Sequence, residues 1–190
     1  LDLGVSSYQI DQSNRGFTFQ KDETLDMRMN PNSGVTAKEL LATYSKEALV
    51  QLFLKEGDIS NPSKLVANII DSRNRNKMDT SFDLINCIKR SFYFKSRAHY
   101  IAITTKVFQA IRVVVNNEMN ELQKILADML TLSDVTVAII TFQPNEDRIV
   151  KTFIKEHHLK TVQKKPFMAT YNECKKNPRE KSAKLRMFYI

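Results

Sequence analysis

The sequence has few of the features that mark several classes of protein. Four Gly and five Pro in 190 residues leave no low-complexity stretch, and no internal repeat is evident. The longest nearly uncharged apolar run, residues 135–142, is far shorter than the roughly 20 residues needed to cross a bilayer, and no basic and apolar leader precedes it. Cys87 and Cys174 stand alone, without metal-ligand spacing. We therefore expect a cytoplasmic protein with reduced thiols, no bound metal and no membrane span.

The composition that is present indicates a folded protein with one strongly basic segment. Apolar residues make up 42% and charged residues 26% of the chain, as in an ordinary globular domain. Residues 148–190 hold 12 Lys or Arg against 3 Asp or Glu, whereas residues 1–147 hold 17 against 18. A concentrated positive field attracts polyanions, so the segment indicates nucleic-acid binding. A solvated, solubilising surface would have the same composition.

The first residues are typical of the end of a strand. Leu1–Gly4 has the character of a buried strand's last residues, and residues 5–14 that of the loop after it. Residues 1–34 as a whole have the composition of a loop. An open α/β sheet binds its ligand outside the carboxyl ends of its strands. These residues are therefore expected to belong to a binding site.

Helical signals fill residues 36–93. Residues that can start a helix stand at four points, each followed by apolar residues at helical spacing. These residues are Thr36 with Glu39, then Ser45, then Pro62, and then Asp79 or Thr80. We expect four short amphipathic helices, without a strand, that form a helical subdomain.

The rest of the chain alternates between helix and strand patterns. A long helix is predicted over 104–130, a second over 146–157, and an exposed loop up to a last strand over 185–190. Residues 135–142 are apolar on both faces, which is typical of a strand buried in a parallel sheet. Helices that alternate with buried strands predict an α/β domain. Two strands cannot complete a doubly wound sheet, so we expect further strands to lie before Leu1.

Several blocks of sequence, in order, resemble the bacterial ribosomal small-subunit methyltransferase H family. They are DLGVSSYQID at 2–11, RGFTF at 15–19, LDMRM at 25–29, TYS at 43–45, FQAIRVVVNNE at 108–118, EDRIVK at 146–151 and NPREKSAKLR at 177–186. The resemblance spans essentially the whole chain. It implies an enzyme that uses S-adenosylmethionine to methylate the N4 amine of a cytidine in 16S ribosomal RNA.

The resemblance also implies a fold class and a division of the chain. The fold is α/β, a partial Rossmann-like class I methyltransferase domain with an inserted all-α subdomain. Residues 1–34 would form a cofactor and substrate loop, residues 35–100 the inserted subdomain, and residues 101–190 the remainder with the basic C-terminal segment. The family's Gly-rich cofactor loop has no counterpart among the glycines at 4, 16, 34 and 57. We therefore expect a C-terminal portion that alone is inactive and binds the cofactor weakly at best.

The chemistry of this reaction assigns roles to the first block. A cytosine N4 amine is a poor nucleophile, so the enzyme must align it with the methyl donor and accept or polarise an N–H. The resemblance makes Asp2 the catalytic residue and makes Asp2 and Gln9 the cofactor contacts. The alternatives are a turn-forming role for Asp2 and a solvated loop position for Gln9.

The resemblance also supplies candidate contacts to the cytidine and its RNA. Ser6 and Ser7 would hydrogen-bond the cofactor or the cytidine, unless they are loop caps. Arg15 and Phe17 would contact a flipped base, with packing of Phe17 in the core as the alternative. A local ion pair between Asp26 and Arg28 would shape the loop.

Further candidates lie in the later blocks. Arg112, Asn116 and Asn117 would form a wall of the substrate site, or else part of a helix surface. Arg179 and Lys184 would contact phosphate, or else belong to a solvated face. Before EDRIVK, Gln143 stands where the family usually has a His that could bind base or phosphate.

Two other functions stay open at this point. The chain could be a degenerate, non-catalytic RNA-binding module, or a helical protein-interaction domain. The expected partners are 16S ribosomal RNA and the small ribosomal subunit, and not a membrane. The oligomeric state is left open by the sequence, with a homodimer among the options.

Overall fold

The computed structural model describes the backbone of residues 1–190 and every side chain except those of Ser7 and Asp11. The chain divides into two compact units, which we call the sheet unit (residues 1–4 and 118–190) and the helical unit (residues 5–117). The helices are α1 (Ser7–Gln12), α2 (Ala37–Thr43), α3 (Lys46–Lys55), α4 (Ser63–Asn74), α5 (Ser81–Ser91), α6 (Arg97–Val115), α7 (Glu118–Met129), α8 (Pro144–Glu156) and α9 (Tyr171–Lys176). The strands are β1 (Thr136–Thr141), β2 (Phe167–Met168) and β3 (Lys184–Tyr189). The division of the sequence at residues 34 and 100 remains a prediction.

The four helices predicted over residues 36–93 are confirmed. The Thr36 hydroxyl accepts the amide proton of Glu39 at 3.1 Å, and the Glu39 carboxylate accepts that of Thr36 at 2.8 Å. Ser45 caps α3, and Thr80 caps α5. Helix α4 begins at Ser63, one residue after the predicted Pro62. Capping residues that are local in sequence thus define where α2, α3 and α5 start, whereas α4 starts after a proline.

The core of the helical unit consists of the apolar faces of these helices and of α6. Its fully buried side chains lie on the inner faces of the helices. Burying each one stabilises the fold by about 1.5–3 kcal/mol relative to leaving it exposed. They include Leu40, Leu41, Leu49, Phe53, Leu65, Ile69, Leu84, Ile88, Val107 and Ile111. The predicted pattern of inward residues therefore produces one continuous core.

The single helix predicted over 104–130 is wrong. Helix α6 starts at Arg97, seven residues earlier, and ends at Val115, and α7 begins at Glu118. Asn117 between them has a φ of 52°, in the left-handed region that ends a helix. The periodicity of apolar residues continues across the break, so the pattern alone could not show it.

The mixed α/β character is confirmed, but the sheet differs from the predicted parallel one. Strand β3 lies between β1 and β2 and pairs antiparallel with both. The one parallel pairing to β1 among the described residues is an isolated bridge of Asp2 with Ile140. The burial of β1 alternates between buried and half-buried positions after its exposed first residue. The long apolar run thus has one face less enclosed than we predicted.

Two segments predicted as loops contain short helices. Ser6 and Gln9 form a reciprocal capping box that starts α1 within the loop predicted over residues 5–14. The exposed segment before β3 contains β2, α9 and a 3₁₀ helix over Pro178–Ser182. Asn and Ser side chains that also favour loops act here as helix caps. Among the described residues, no helix is both long enough and apolar enough to cross a membrane.

Candidate functional site

Asp2 lies beside the carboxyl end of β1. The amide of Leu3 donates to the carbonyl of Ile140 at 3.2 Å, and the amide of Ile140 donates to that of Leu1 at 2.9 Å. Asp2 is exposed, and Gly4 then turns the chain with a φ of 95°, which other residues rarely adopt. Asp2 therefore stands at the edge where α/β sheets bind ligands, and its catalytic role stays a prediction.

Gln143 and Glu146 organise the start of α8 at the same edge of the sheet unit. One oxygen of the Glu146 carboxylate accepts the amide protons of Phe142 at 2.8 Å and Gln143 at 3.0 Å. Its other oxygen accepts the side-chain amide of Gln143 at 3.1 Å. Both side chains are buried. Gln143 is thus a helix cap in this structure, and its predicted contact with RNA is untested.

Lys184 belongs to an ionic cluster that joins β3 to α8. Arg186 Nε donates to Asp147 at 2.8 Å, and Lys184 Nζ lies 3.3 Å from the same carboxylate. Burial raises the pKa of Asp147, but the hydrogen bonds and charges of Arg186 and Lys184 outweigh it and hold this pKa below its usual value. Arg179 is exposed on the 3₁₀ helix. Of these two predicted phosphate contacts, Lys184 therefore also stabilises the sheet unit.

Ser6 and Gln9 lie at the start of α1. The amide of Ser6 donates to the Gln9 side-chain oxygen at 2.9 Å, and the amide of Gln9 donates to the Ser6 hydroxyl at 3.3 Å. Ser6 is exposed and Gln9 half-buried. The loop-cap alternative for Ser6 therefore describes its observed contact. The side chain of Ser7 lies outside the described residues.

Arg15 and Phe17 brace the loop between α1 and α2. Arg15 donates to the carbonyl of Arg28 at 2.6 Å, and its guanidinium lies 5.3 Å from the centre of the Phe17 ring. Phe17 packs against the core of the helical unit. The predicted pair of Asp26 and Arg28 is confirmed as a bidentate ion pair at 2.7 and 2.9 Å. Hydrogen bonds from Arg28 lower the pKa of Asp26.

Asn116 fastens the end of α6 to the same loop. Its side-chain NH₂ donates to the carbonyls of Met27 at 2.8 Å and Arg112 at 2.9 Å. Its side-chain oxygen accepts the amide proton of Met29 at 2.6 Å. Arg112 is buried, and Asn117 adopts the left-handed turn that ends the helix. The structure thus brings Arg15 and Asn116 to one segment, residues 27–29.

This segment is a feature that sequence reasoning missed. Met27 is almost fully buried although its φ is 58°, and its amide donates to the carbonyl of Arg15 at 2.8 Å. An apolar residue in the left-handed region is held there only when its surroundings impose it. The LDMRM block contains this segment, but its sequence does not predict the left-handed conformation of Met27.

Two cavities in the described part of the chain lie away from the predicted site residues. A groove of 340 Å³ between α7 and α8 and a cleft of 440 Å³ in the helical unit contain none of them. Within the part of the chain that the structure describes, no three or more His, Cys, Asp or Glu side chains are grouped so that they could hold a metal ion. Of the predicted site residues, Asp2 lies at an edge of the sheet unit, and Arg15 and Phe17 lie in a loop of the helical unit.

Comparisons with known proteins match the entire chain. The model of a family described as the MraW methylase family matches residues 1–190. A protein of Bdellovibrio bacteriovorus named ribosomal RNA small subunit methyltransferase H is 39% identical over 192 residues, which cover 99% of this chain and 58% of that protein. Proteins of the same name from Wolinella succinogenes and Mesomycoplasma hyopneumoniae are 38% and 41% identical, over 98% of this chain and 67% and 66% of their own length. The chain thus spans a little over half the length of the Bdellovibrio relative.

Proposed function

Because this chain belongs to the MraW methylase family, we propose that it takes part in methylation of the N4 amine of a cytidine in 16S ribosomal RNA. The observation that carries the proposal is the family match over all 190 residues, together with relatives named for ribosomal RNA methylation. The proposed partners are the small ribosomal subunit and its RNA, in the cytoplasm. The proposed fold is the partial Rossmann-like domain with an inserted helical subdomain.

The edge at Asp2 is the place that fits a methyl donor. Asp2 is exposed and lies between Leu1 and Leu3, which both form backbone hydrogen bonds with Ile140 of β1, and Gly4 turns the chain two residues later. S-adenosylmethionine supplies an electrophilic methyl group on a sulfonium. We propose that Asp2 and Gln9 hold this cofactor.

Asp2 has a second task in the proposed reaction. In the proposed transfer the cytidine amine would give one proton to the Asp2 carboxylate while its nitrogen forms the new bond to the methyl carbon, and the sulfur would keep the electron pair of the broken carbon–sulfur bond. A carboxylate that hydrogen-bonds the N–H raises the electron density on that nitrogen and aligns its lone pair. Removing a positioned acid–base group typically lowers the rate about 100- to 10,000-fold.

The contacts to RNA are proposed from the resemblance and from surface charge. Ser6, Arg15, Phe17 and the end of α6 are the proposed contacts in the helical unit. Arg179 and Lys184 are those in the sheet unit, within the segment that holds 12 Lys or Arg against 3 Asp or Glu. The bonds of Arg15 and Lys184 within the fold leave room for a second partner, since both side chains carry several donors.

A transfer assay tests the proposal. Small subunits with unmethylated 16S RNA are incubated with methyl-labelled S-adenosylmethionine and either the 190-residue chain or the product of its complete open reading frame. We expect label in RNA with the complete product and little or none with the 190 residues, which contain no Gly-rich loop. No transfer by the complete product, with RNA binding retained, would support instead the degenerate RNA-binding module that the basic segment also favours.

A further inference from the structure

A second basic region lies in the helical unit, although residues 1–147 as a whole have almost no net charge. Residues 84–117 contain six Lys or Arg and no Asp or Glu. Four aromatic residues fall close together within it: Phe92, Tyr93, Phe94 and Tyr100. Basic and aromatic side chains that alternate in this way are typical of surfaces that bind single-stranded nucleic acid.

The aromatic residues form a rigid platform between α5 and α6. The Phe94 ring contacts Tyr100 edge-to-face with centres 5.1 Å apart, and it also contacts the rings of Phe92 at 6.3 Å and His99 at 6.1 Å. These contacts hold the connecting loop in one conformation. Tyr93 takes no part in them and is 84% exposed. The loop therefore presents a large ring to solvent from a rigid support.

A cleft of 440 Å³ opens beside this ring, and we call it the Tyr93 cleft. Its lining includes Ile59, Lys64, Phe92, Tyr93, His99 and Lys106. The amide of Lys95 donates to His99 Nδ1 at 3.4 Å. The volume is within the range of small-ligand sites, about 300–1,000 Å³. The cleft can therefore accept one nucleobase with its sugar.

The charges around the Tyr93 cleft favour an anion. Its acidic lining residue, Asp58, pairs with Lys106 at 2.8 Å. Lys64 lines the cleft, and Lys95 and Arg97 follow Tyr93 by two and four residues in the sequence. All three are exposed, and among the described side chains they form no ion pair. Three unneutralised cations beside an exposed aromatic ring match a phosphate backbone whose bases are unstacked.

From this juxtaposition we propose that the Tyr93 cleft binds single-stranded RNA, with one base stacked on Tyr93 and the phosphates contacted by Lys64, Lys95 and Arg97. The inference rests on the proposed function, because it takes the substrate to be RNA, and it adds a contact surface outside the family's motifs. Double-stranded RNA does not fit, since its stacked bases present no free face to the ring. A protein partner would gain little from the unneutralised cations.

The test is the affinity of the 190-residue chain for a fluorescein-labelled, single-stranded decaribonucleotide of mixed sequence, measured by fluorescence anisotropy. We expect Tyr93→Ala to weaken binding about 5- to 150-fold, the range for loss of one base–aromatic stack. Tyr93→Phe keeps the ring and should bind within about twofold of the unmodified chain. Lys95→Ala should reduce the slope of log affinity against log salt by about 0.7, as for one phosphate contact on a single strand.

Phe82→Ala is the matched control. Phe82 is a 43% exposed ring at the start of α5 in the same unit, next to Asp83 and bonded through its amide to Asp22. Its loss should leave RNA binding unchanged, and thermal unfolding confirms that each variant is folded. Equal weakening by both alanine variants would overturn the proposal.

The remaining outcomes separate this inference from the proposed function. If the unmodified chain binds the RNA and Tyr93→Ala binds equally well, the cleft is not an RNA site and the proposed function stands. If the unmodified chain does not bind single-stranded RNA at any salt concentration, the inference about the cleft is overturned, and the proposed function is decided separately by the transfer assay. Binding that Tyr93→Ala weakens equally for the single strand and its duplex would also contradict a stacked base.

Discussion

At the scale of single residues, several predicted site residues have bonds within the fold. Asn116 bridges α6 to residues 27–29, Gln143 caps α8, and Lys184 pairs with Asp147. The sequence identified these positions as special through the resemblance. It could not reveal these partners, because a hydrogen bond to a segment 87 residues away leaves no trace in local spacing. Asp26 and Arg28 were predictable as a pair because they are two residues apart.

The bridge made by Asn116 leads to a prediction about stability. Asn116→Ala removes three hydrogen bonds and leaves the half-buried Met29 amide without its acceptor. An unsatisfied buried polar group costs about 1–3 kcal/mol, so the free energy of unfolding should fall by that amount in urea denaturation. Asn32→Ala, an exposed position in the same unit, is the control and should change it by less than about 0.5 kcal/mol. An equal effect of the two variants would show that the bridge is not stabilising.

The ionic cluster at Asp147 leads to a prediction about pH. Arg186 and Lys184 hold the pKa of Asp147 below its usual value, against the opposing effect of burial. Its stabilising contribution is complete above the unfolded pKa of about 3.9 and is lost as pH falls through the lower folded pKa. The difference in unfolding free energy between the unmodified chain and Asp147→Asn should be constant from pH 7 to 5 and shrink below about pH 4.

Asp128→Asn is the control for this titration. It removes an exposed carboxylate from the same unit and changes the net charge equally. Its difference from the unmodified chain should be small at every pH. A difference for Asp147→Asn that persists unchanged to pH 2.5 would contradict the role of the ion pair.

At the scale of elements, prediction succeeded where the determinants are local. Helices α2, α3 and α5 start at the predicted caps, and their buried faces follow from apolar spacing. It failed where tertiary contacts decide. The break between α6 and α7 depends on the bonds of Asn116. The antiparallel position of β3 depends on pairing between residues far apart in the sequence, such as Ala138 and Met187, which are 49 positions apart. The capping box of Ser6 and Gln9 has a recognisable sequence pattern, but the loop-like composition of residues 5–14 led us to predict no helix there.

The loop over residues 15–29 gives a prediction at this scale. Gly16 has a φ of 75°, and a Cβ atom there would lie 2.6 Å from the carbonyl oxygen of Thr24. Gly16→Ala therefore combines backbone strain with a collision against main chain, and should cost more than about 2 kcal/mol of unfolding free energy. Gly34→Ala is the matched control, because its φ is 79° but no atom lies within 4 Å of the added Cβ.

Comparison with Gly34→Ala separates the cost of the steric collision at Gly16 from the cost of the backbone strain that both positions share. Gly34→Ala should cost only about 1 kcal/mol, the amount expected from positive φ alone. Thermal or urea unfolding of both variants measures the difference. Equal costs would show that the loop at residue 16 moves aside to accept the methyl group.

At the scale of the whole molecule, the distribution of charge was only partly readable from the sequence. Counting by segment identified residues 148–190 as basic, but residues 1–147 cancel to nearly zero and conceal the acid-free stretch over 84–117. Folding places Phe92, Tyr93 and Lys106 of that stretch around one cleft. The family followed from ordered blocks of sequence, whereas the cleft required the fold.

The most direct test of the account is the identity of the methylated nucleoside. RNA from unmethylated small subunits is treated with S-adenosylmethionine and the product of the complete reading frame, digested, and analysed by chromatography with mass spectrometry. We predict N4-methylcytidine, and with Asp2→Asn a fall in its rate of formation of at least about 100-fold, without loss of the fold since Asp2 is exposed. A methyl group on another nucleoside, or an undiminished rate with Asp2→Asn, would contradict the account.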